Sequence, residues 1–118
     1  MTKEKAERDR FRVALMIEAA EEARRDSEIG EKAFINDRRS RAVLLLDLIH
    51  LTESADKLSA GFKNANPAID WRRLRDLRNE GLVHDYPEAD FGDIWNFVRS
   101  ELPKLRRQLD RVSHSPSS

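Results

Sequence analysis

At 118 residues and 13.7 kDa, the chain has the size of a single domain. Charged residues make up 37%, against about 25% in an average globular chain, yet 22 Lys and Arg balance 22 Asp and Glu. Zero net charge excludes the strongly basic footprint of a sequence-independent nucleic-acid coat and leaves room only for a local basic patch. The absence of cysteine excludes disulfide scaffolds, Cys-based zinc sites and thiol nucleophiles, and it fits a reducing cytoplasm, the expected location. The longest apolar run, Ala42 to Leu46, falls far short of the ~20 residues that cross a bilayer. Met1 to Lys5 leads into charge rather than into the apolar core of a signal peptide.

Four Gly, four Pro and few β-branched runs favour helices. The first helix is expected over about Lys5 to Ser27. Val13, Met16, Ile17 and Ala20 form its wide apolar stripe, and Phe11, Leu15 and Glu18 a narrower one. Gly30 is its stop signal, with a short connecting helix around Glu31–Ile35. The clearest periodicity follows, from about Asp37 to Ser59. There Leu44, Leu48, Leu51, Ala55 and Leu58 recur at +4, +3, +4, +3. Ala42, Leu45, Leu46 and Ile49 form a second apolar stripe. A small single core covers one such face, so the other invites a second copy of the chain, the alternative being a deeply central helix in a monomer.

Gly61 is expected to end that helix, and Asn66-Pro67 marks a loop. Asp70 is an N-cap for a helix starting at Trp71 and carrying Leu74, Leu77 and Leu82. Pro87 keeps Tyr86 out of helical geometry. Asp90 caps a last helix, about Phe91 to Val112, bearing Ile94, Trp95, Val98, Leu102, Leu105 and Leu109. Pro103 inside it should kink it. The expected fold is all-α, an antiparallel bundle of four or five helices over residues 1–112. The polar stretch 113–118 is expected to form a disordered tail.

Trp71 to Tyr86 concentrates the chemistry: four arginines, an imidazole, an amide and a phenol in sixteen residues. Guanidinium groups suit phosphate oxygens, and histidine exchanges a proton near neutral pH. Together they suit RNA cleavage without a metal. A base takes the 2′-hydroxyl proton, an acid protonates the leaving oxygen, and a guanidinium steadies the phosphorus centre. Taken alone, such a segment is more often a solvated or ion-paired face, here with Asp76, Glu80 and Asp85. Arg78 and His84 lie about 240° apart on an undistorted helix. A bulge near Gly81, or pairing across a dimer interface, is needed to bring them together.

Arg78-Asn79, four residues, then His84-Asp85-Tyr86 resembles the signature of the HEPN superfamily (higher eukaryotes and prokaryotes nucleotide-binding). The closer resemblance is to its HepT-like branch. Leu48-x-x-Leu51-Thr52-Glu53-Ser54-Ala55, Pro67-Ala68-Ile69-Asp70-Trp71-Arg72, Ile94-Trp95 and Leu102-Pro103-x-Leu105 are similar to that family's other segments in order and spacing. The resemblance implies a helical homodimer with the two motifs facing across the interface. It implies a metal- and cofactor-independent endoribonuclease acting as the toxin of a type II or type VII-like toxin–antitoxin pair. It assigns Arg78 and His84 as the catalytic pair. Asn79 and Glu53 would be supporting polar residues, with a paired structural carboxylate the equal alternative for Glu53. Tyr86 would be the residue that an MNT-type nucleotidyltransferase antitoxin modifies with adenylate, whose phosphate would block RNA by bulk and repulsion. A non-catalytic HEPN subunit of a nucleotidyltransferase is the alternative role.

The chain departs from the pattern in having five residues between Arg78 and His84 rather than four, and Thr52 where glycine is usual. His50 is expected at an interface or in the core, and His114 has no role. Arg72, Arg73 and Arg75 are candidate RNA contacts. Arg38, Arg39 and Arg41, and Lys104, Arg106 and Arg107, are further cationic clusters.

Overall fold

In a computed structural model, residues 2–79 and 90–113 are described, and all regular structure among them is helical. The helices are α1 (Lys3–Asp26), α2 (Glu31–Asn36), α3 (Arg38–Asp56), α4 (Ala60–Ala65), α5 (Trp71–Leu77), α6 (Phe91–Asn96) and α7 (Leu102–Ser113). A 3₁₀ turn, Ser27–Ile29, follows α1. A π-helical segment, Phe97–Glu101, joins α6 to α7 in one continuous rod. The expected helical bundle is therefore present, with one short helix more than expected. Gly61 does not end the third helix: α3 stops at Asp56, and Gly61 lies inside α4.

Local chemistry explains most boundaries. Thr2, Asp37, Ser59, Asp70 and Asp90 each accept a backbone N–H of the helix they precede, satisfying donors that have no partner within the helix. Gly30 adopts φ +89°, a conformation that side-chain-bearing residues rarely take, and so turns the chain between α1 and α2. Pro103 sits near the start of α7 without ending the rod. The rod adjusts by widening over Phe97–Glu101, where the Leu102 amide donates five residues back to the Phe97 carbonyl. The kink expected at Pro103 takes this form, because a residue without an N–H cannot complete the ordinary ladder.

The core lies between α1, α3 and the α6–α7 rod. All five positions of the expected stripe are buried: Leu44, Leu48 and Leu51 at 0% exposure and Ala55 at 4% on α3, and Leu58 just beyond its end at 5%. On α1 the buried set is Val13, Met16, Ala19, Ala20 and Ala23, whereas Phe11 of the narrower stripe is exposed. Phe34 of α2 packs against Trp95 and edge-on against Phe91 of α6, with ring centroids 5.6 and 6.1 Å apart. The buried Asp9 carboxylate accepts from the Ser59 backbone N–H (2.9 Å) and hydroxyl (2.6 Å), fastening α1 to the α3–α4 turn. No helix among the described residues is long and apolar enough to cross a membrane.

Candidate nucleic-acid site on α5

Helix α5 is seated by its own sequence. Leu74 and Leu77 are buried against the core, and Asp70 caps the N-terminus through the Arg73 amide (3.0 Å). Trp71 donates its indole N–H to the Asn66 carbonyl (3.0 Å) and meets Phe62 edge-on, which joins α4 to α5. Gln108 of α7 donates to the Ala68 carbonyl in the connecting loop (2.8 Å). The polar residues of α5 therefore ride on a helix held from three sides.

Arg78 and Asn79 continue the helix in π-helical geometry. Arg78 is half-buried, and its Nε makes no hydrogen bond among the described residues. Asn79 is exposed beside it. His84 and Tyr86 lie outside the described residues, as do Gly81, Leu82, Asp85, Pro87 and the 114–118 stretch.

The three arginines upstream of Arg78 have different surroundings. Arg73 is committed inside the molecule. Its guanidinium donates to both carboxylate oxygens of Asp93 (3.0 and 3.1 Å) and to both of Glu101 (2.9 and 3.0 Å). It also lies 5.6 Å from the Phe97 ring centroid. Those carboxylates raise its pKa further above the usual guanidinium range, with the Asp93 contact the larger cause. Arg72 is open to solvent, 83% exposed, with only a 3.8 Å approach to Asp76. Arg75 is exposed and forms no ion pair among the described residues. Arg72 and Arg75 line a pocket of about 100 Å³ with Trp71, Lys63, Asp56 and Thr52. Lys63 escapes a sequence reading because only the Phe62–Trp71 packing brings α4 beside α5.

Glu53 stands elsewhere. It lines a groove of about 310 Å³ between α1 and α3 with Arg12, Glu22, Asp47, His50 and Lys57. Within one chain, then, Glu53 and the α5 arginines line separate pockets. His50 is exposed on this groove rather than buried in the core. Asp47 sits beside Asp26 across the α1–α3 contact. Burial, then the Asp26 carboxyl, pushes its pKa up to about 7. Arg41 and Arg106 from the other clusters are structural. Arg41 is buried, donates to the Phe34 and Ile35 carbonyls and lies 4.2 Å from the Phe91 ring centroid. Arg106 pairs with Glu21 (2.8 Å) and Asp110.

Among the described residues, no group of three or more His, Cys, Asp or Glu is placed to hold a metal ion. Three proteins resemble the chain in sequence. "Putative RNase MJ1380" of Methanocaldococcus jannaschii is 26% identical over 85 residues, 72% of this chain and 77% of that protein. "Putative RNase MJ0127" of the same organism is 23% identical over 79 residues, 67% of this chain and 64% of that protein. "Putative RNase TTE0752" of Caldanaerobacter subterraneus subsp. tengcongensis is 21% identical over 84 residues, 71% of this chain and 74% of that protein. No solved structure matches. The family model described as "Ribonuclease HepT-like" matches residues 16–112, from the middle of α1 almost to the end of α7. The chain belongs to the HepT-like ribonuclease family.

Proposed function

We propose that the chain is a metal-independent endoribonuclease and the toxin of a toxin–antitoxin pair, working as a homodimer with an Arg78/His84 site at the interface. The observation that carries this reading is the family match across residues 16–112, which spans the whole Arg78-to-Tyr86 motif. In the proposed reaction His84 takes the proton of an RNA 2′-hydroxyl, and that oxygen attacks the adjacent phosphorus. The bond to the 5′-oxygen breaks, and an acid returns a proton to the leaving oxygen. Arg78 neutralises the charge gathering on the phosphoryl oxygens, and Asn79 adds a polar contact. The products are a 2′,3′-cyclic phosphate and a 5′-hydroxyl.

The exposed apolar residues of α3, Val43 at 52% and Leu46 at 51%, support the homodimer. A nucleotidyltransferase antitoxin would silence the site by transferring adenylate to the Tyr86 hydroxyl, setting a phosphate beside the Arg/His pair.

The test is incubation of mixed RNA in EDTA with wild type, Arg78→Ala and His84→Ala, each confirmed dimeric and checked by intact mass for an adenylylated Tyr86. Cleavage by wild type and its loss in both variants is the expected result. No cleavage by unmodified wild type overturns the nuclease. It would favour the second reading, a non-catalytic subunit of a nucleotidyltransferase, for which the five-residue spacing is the observation in favour.

A further inference from the structure

Some basic side chains among the described residues are taken up inside the molecule, and others stay open to a ligand. Arg41, Arg73 and Arg106 are held by carbonyls or carboxylates of the same chain. Lys63 and Arg75 form no ion pair among the described residues, and Arg72 has only its 3.8 Å approach to Asp76. These three line one pocket, and they are joined there by the half-buried Trp71. The indole N–H of Trp71 is already bonded to Asn66 and one ring edge meets Phe62, which fixes the ring as part of the pocket wall. Arg72 and Arg75 precede Arg78 at successive spacings of three, each step about 4.5 Å along the helix axis. Among the described residues, the carboxylates nearby are Asp56, on the pocket wall, and Asp76, beside Arg72. Three cations against two carboxylates leave the pocket with positive charge of its own, before Arg78 is counted.

We infer that Lys63, Arg72 and Arg75, with Trp71 as their floor, form a subsite for the backbone of single-stranded RNA that leads the strand to Arg78. The inference deepens the ribonuclease reading and rests on it for the identity of the ligand. Phosphate oxygens are the groups such cations take, and an indole wall suits an unpaired base, whose flat face is free to stack. Arg73, although it lies between Arg72 and Arg75 in sequence, has no part in the subsite.

The test measures binding, not cleavage. The full-length His84→Ala protein is titrated with a short fluorescein-labelled single-stranded RNA of mixed sequence, and anisotropy is followed from about 50 to 200 mM salt. Each phosphate contact to a single strand contributes about 0.7 to the slope of log K against log salt. Adding Lys63→Gln or Arg75→Gln should lower the slope by about 0.7, and the pair by about 1.4, with circular dichroism melts unchanged. Arg111→Gln, an exposed control at the end of α7, should leave the slope unchanged. An unchanged slope in the Lys63 and Arg75 variants overturns the subsite, and so does an equal loss in the Arg111 control or no RNA binding at all. Cleavage by wild type in EDTA with unaltered slopes removes the subsite and keeps the nuclease. Lowered slopes without cleavage keep the subsite and remove the nuclease.

Discussion

Two buried or half-buried carboxylates show how position decides what an aspartate does. Asp9 accepts two hydrogen bonds from Ser59, so its charge is matched by donors. Asp9→Ala would leave the Ser59 N–H without that acceptor, and a loss of about 1–3 kcal/mol is expected in urea unfolding. Asp47 is the opposite case. Its Oδ2 is buried with no hydrogen-bond donor among the described residues, and the Asp26 carboxyl lies beside it. Folding raises its pKa from 3.8 to about 7, so between those values the folded chain holds more protons than the unfolded one. Stability must then fall as pH rises through that window. The cost is absent below about pH 4 and complete above about pH 7. Asp47→Asn should therefore raise the melting temperature at pH 8 and leave it nearly unchanged at pH 3.5, a contrast that thermal melts at the two pH values will read.

Among the elements, α5 is tied to the α6–α7 rod by the ion pairs of Arg73. Arg73 bridges Asp93 of α6 and Glu101 of the π-helical segment, across the two stems that flank residues 80–89. The rod's widened turn contributes the Glu101 half of that bridge, so the irregularity before Pro103 and the seating of α5 belong together. The carboxylates are nearly half exposed, which limits the bridge to about 1 kcal/mol despite four hydrogen bonds. Arg73→Gln and Glu101→Gln should each destabilise by that order. Combined, they should lose less than the sum of the two, and a double-mutant cycle in urea will show the coupling. The caps of these helices were legible in the sequence, because Asp70 and Asp90 act on amides three residues away. The irregular turns were only half legible. Pro103 announced a disturbance in the last helix, but whether the rod would bend or widen depended on what it packs against.

For the molecule as a whole, the outer face of α3 bears on assembly. Its core stripe is completely buried, but Val43 and Leu46 remain in solvent, with Ala42 exposed beside them. In the proposed homodimer this face is shared between copies. Val43→Asp with Leu46→Asp should convert a dimer to a monomer in sedimentation velocity and abolish RNA cleavage in EDTA, as the proposed composite site requires. An unchanged sedimentation coefficient would place the interface elsewhere.

What the sequence determined by itself was local: the helical class, the Leu44-to-Leu58 stripe, the caps at Asp70 and Asp90, and the helix stop at Gly30. Each depends on periodicity or on groups a few residues apart, where chain connectivity alone brings the partners together. The sequence also carried the family resemblance, through the order and spacing of its segments. The tertiary structure decided which charges are spent. Arg73 finds carboxylates 20 and 28 residues away, Arg106 finds one 85 away, and Asp9 meets Ser59 across 50. Nothing along the chain distinguishes Arg73 from Arg72 and Arg75. A guanidinium joins the scaffold or stays free for a ligand according to which distant carboxylates the fold places within hydrogen-bond reach, and only packing sets those distances.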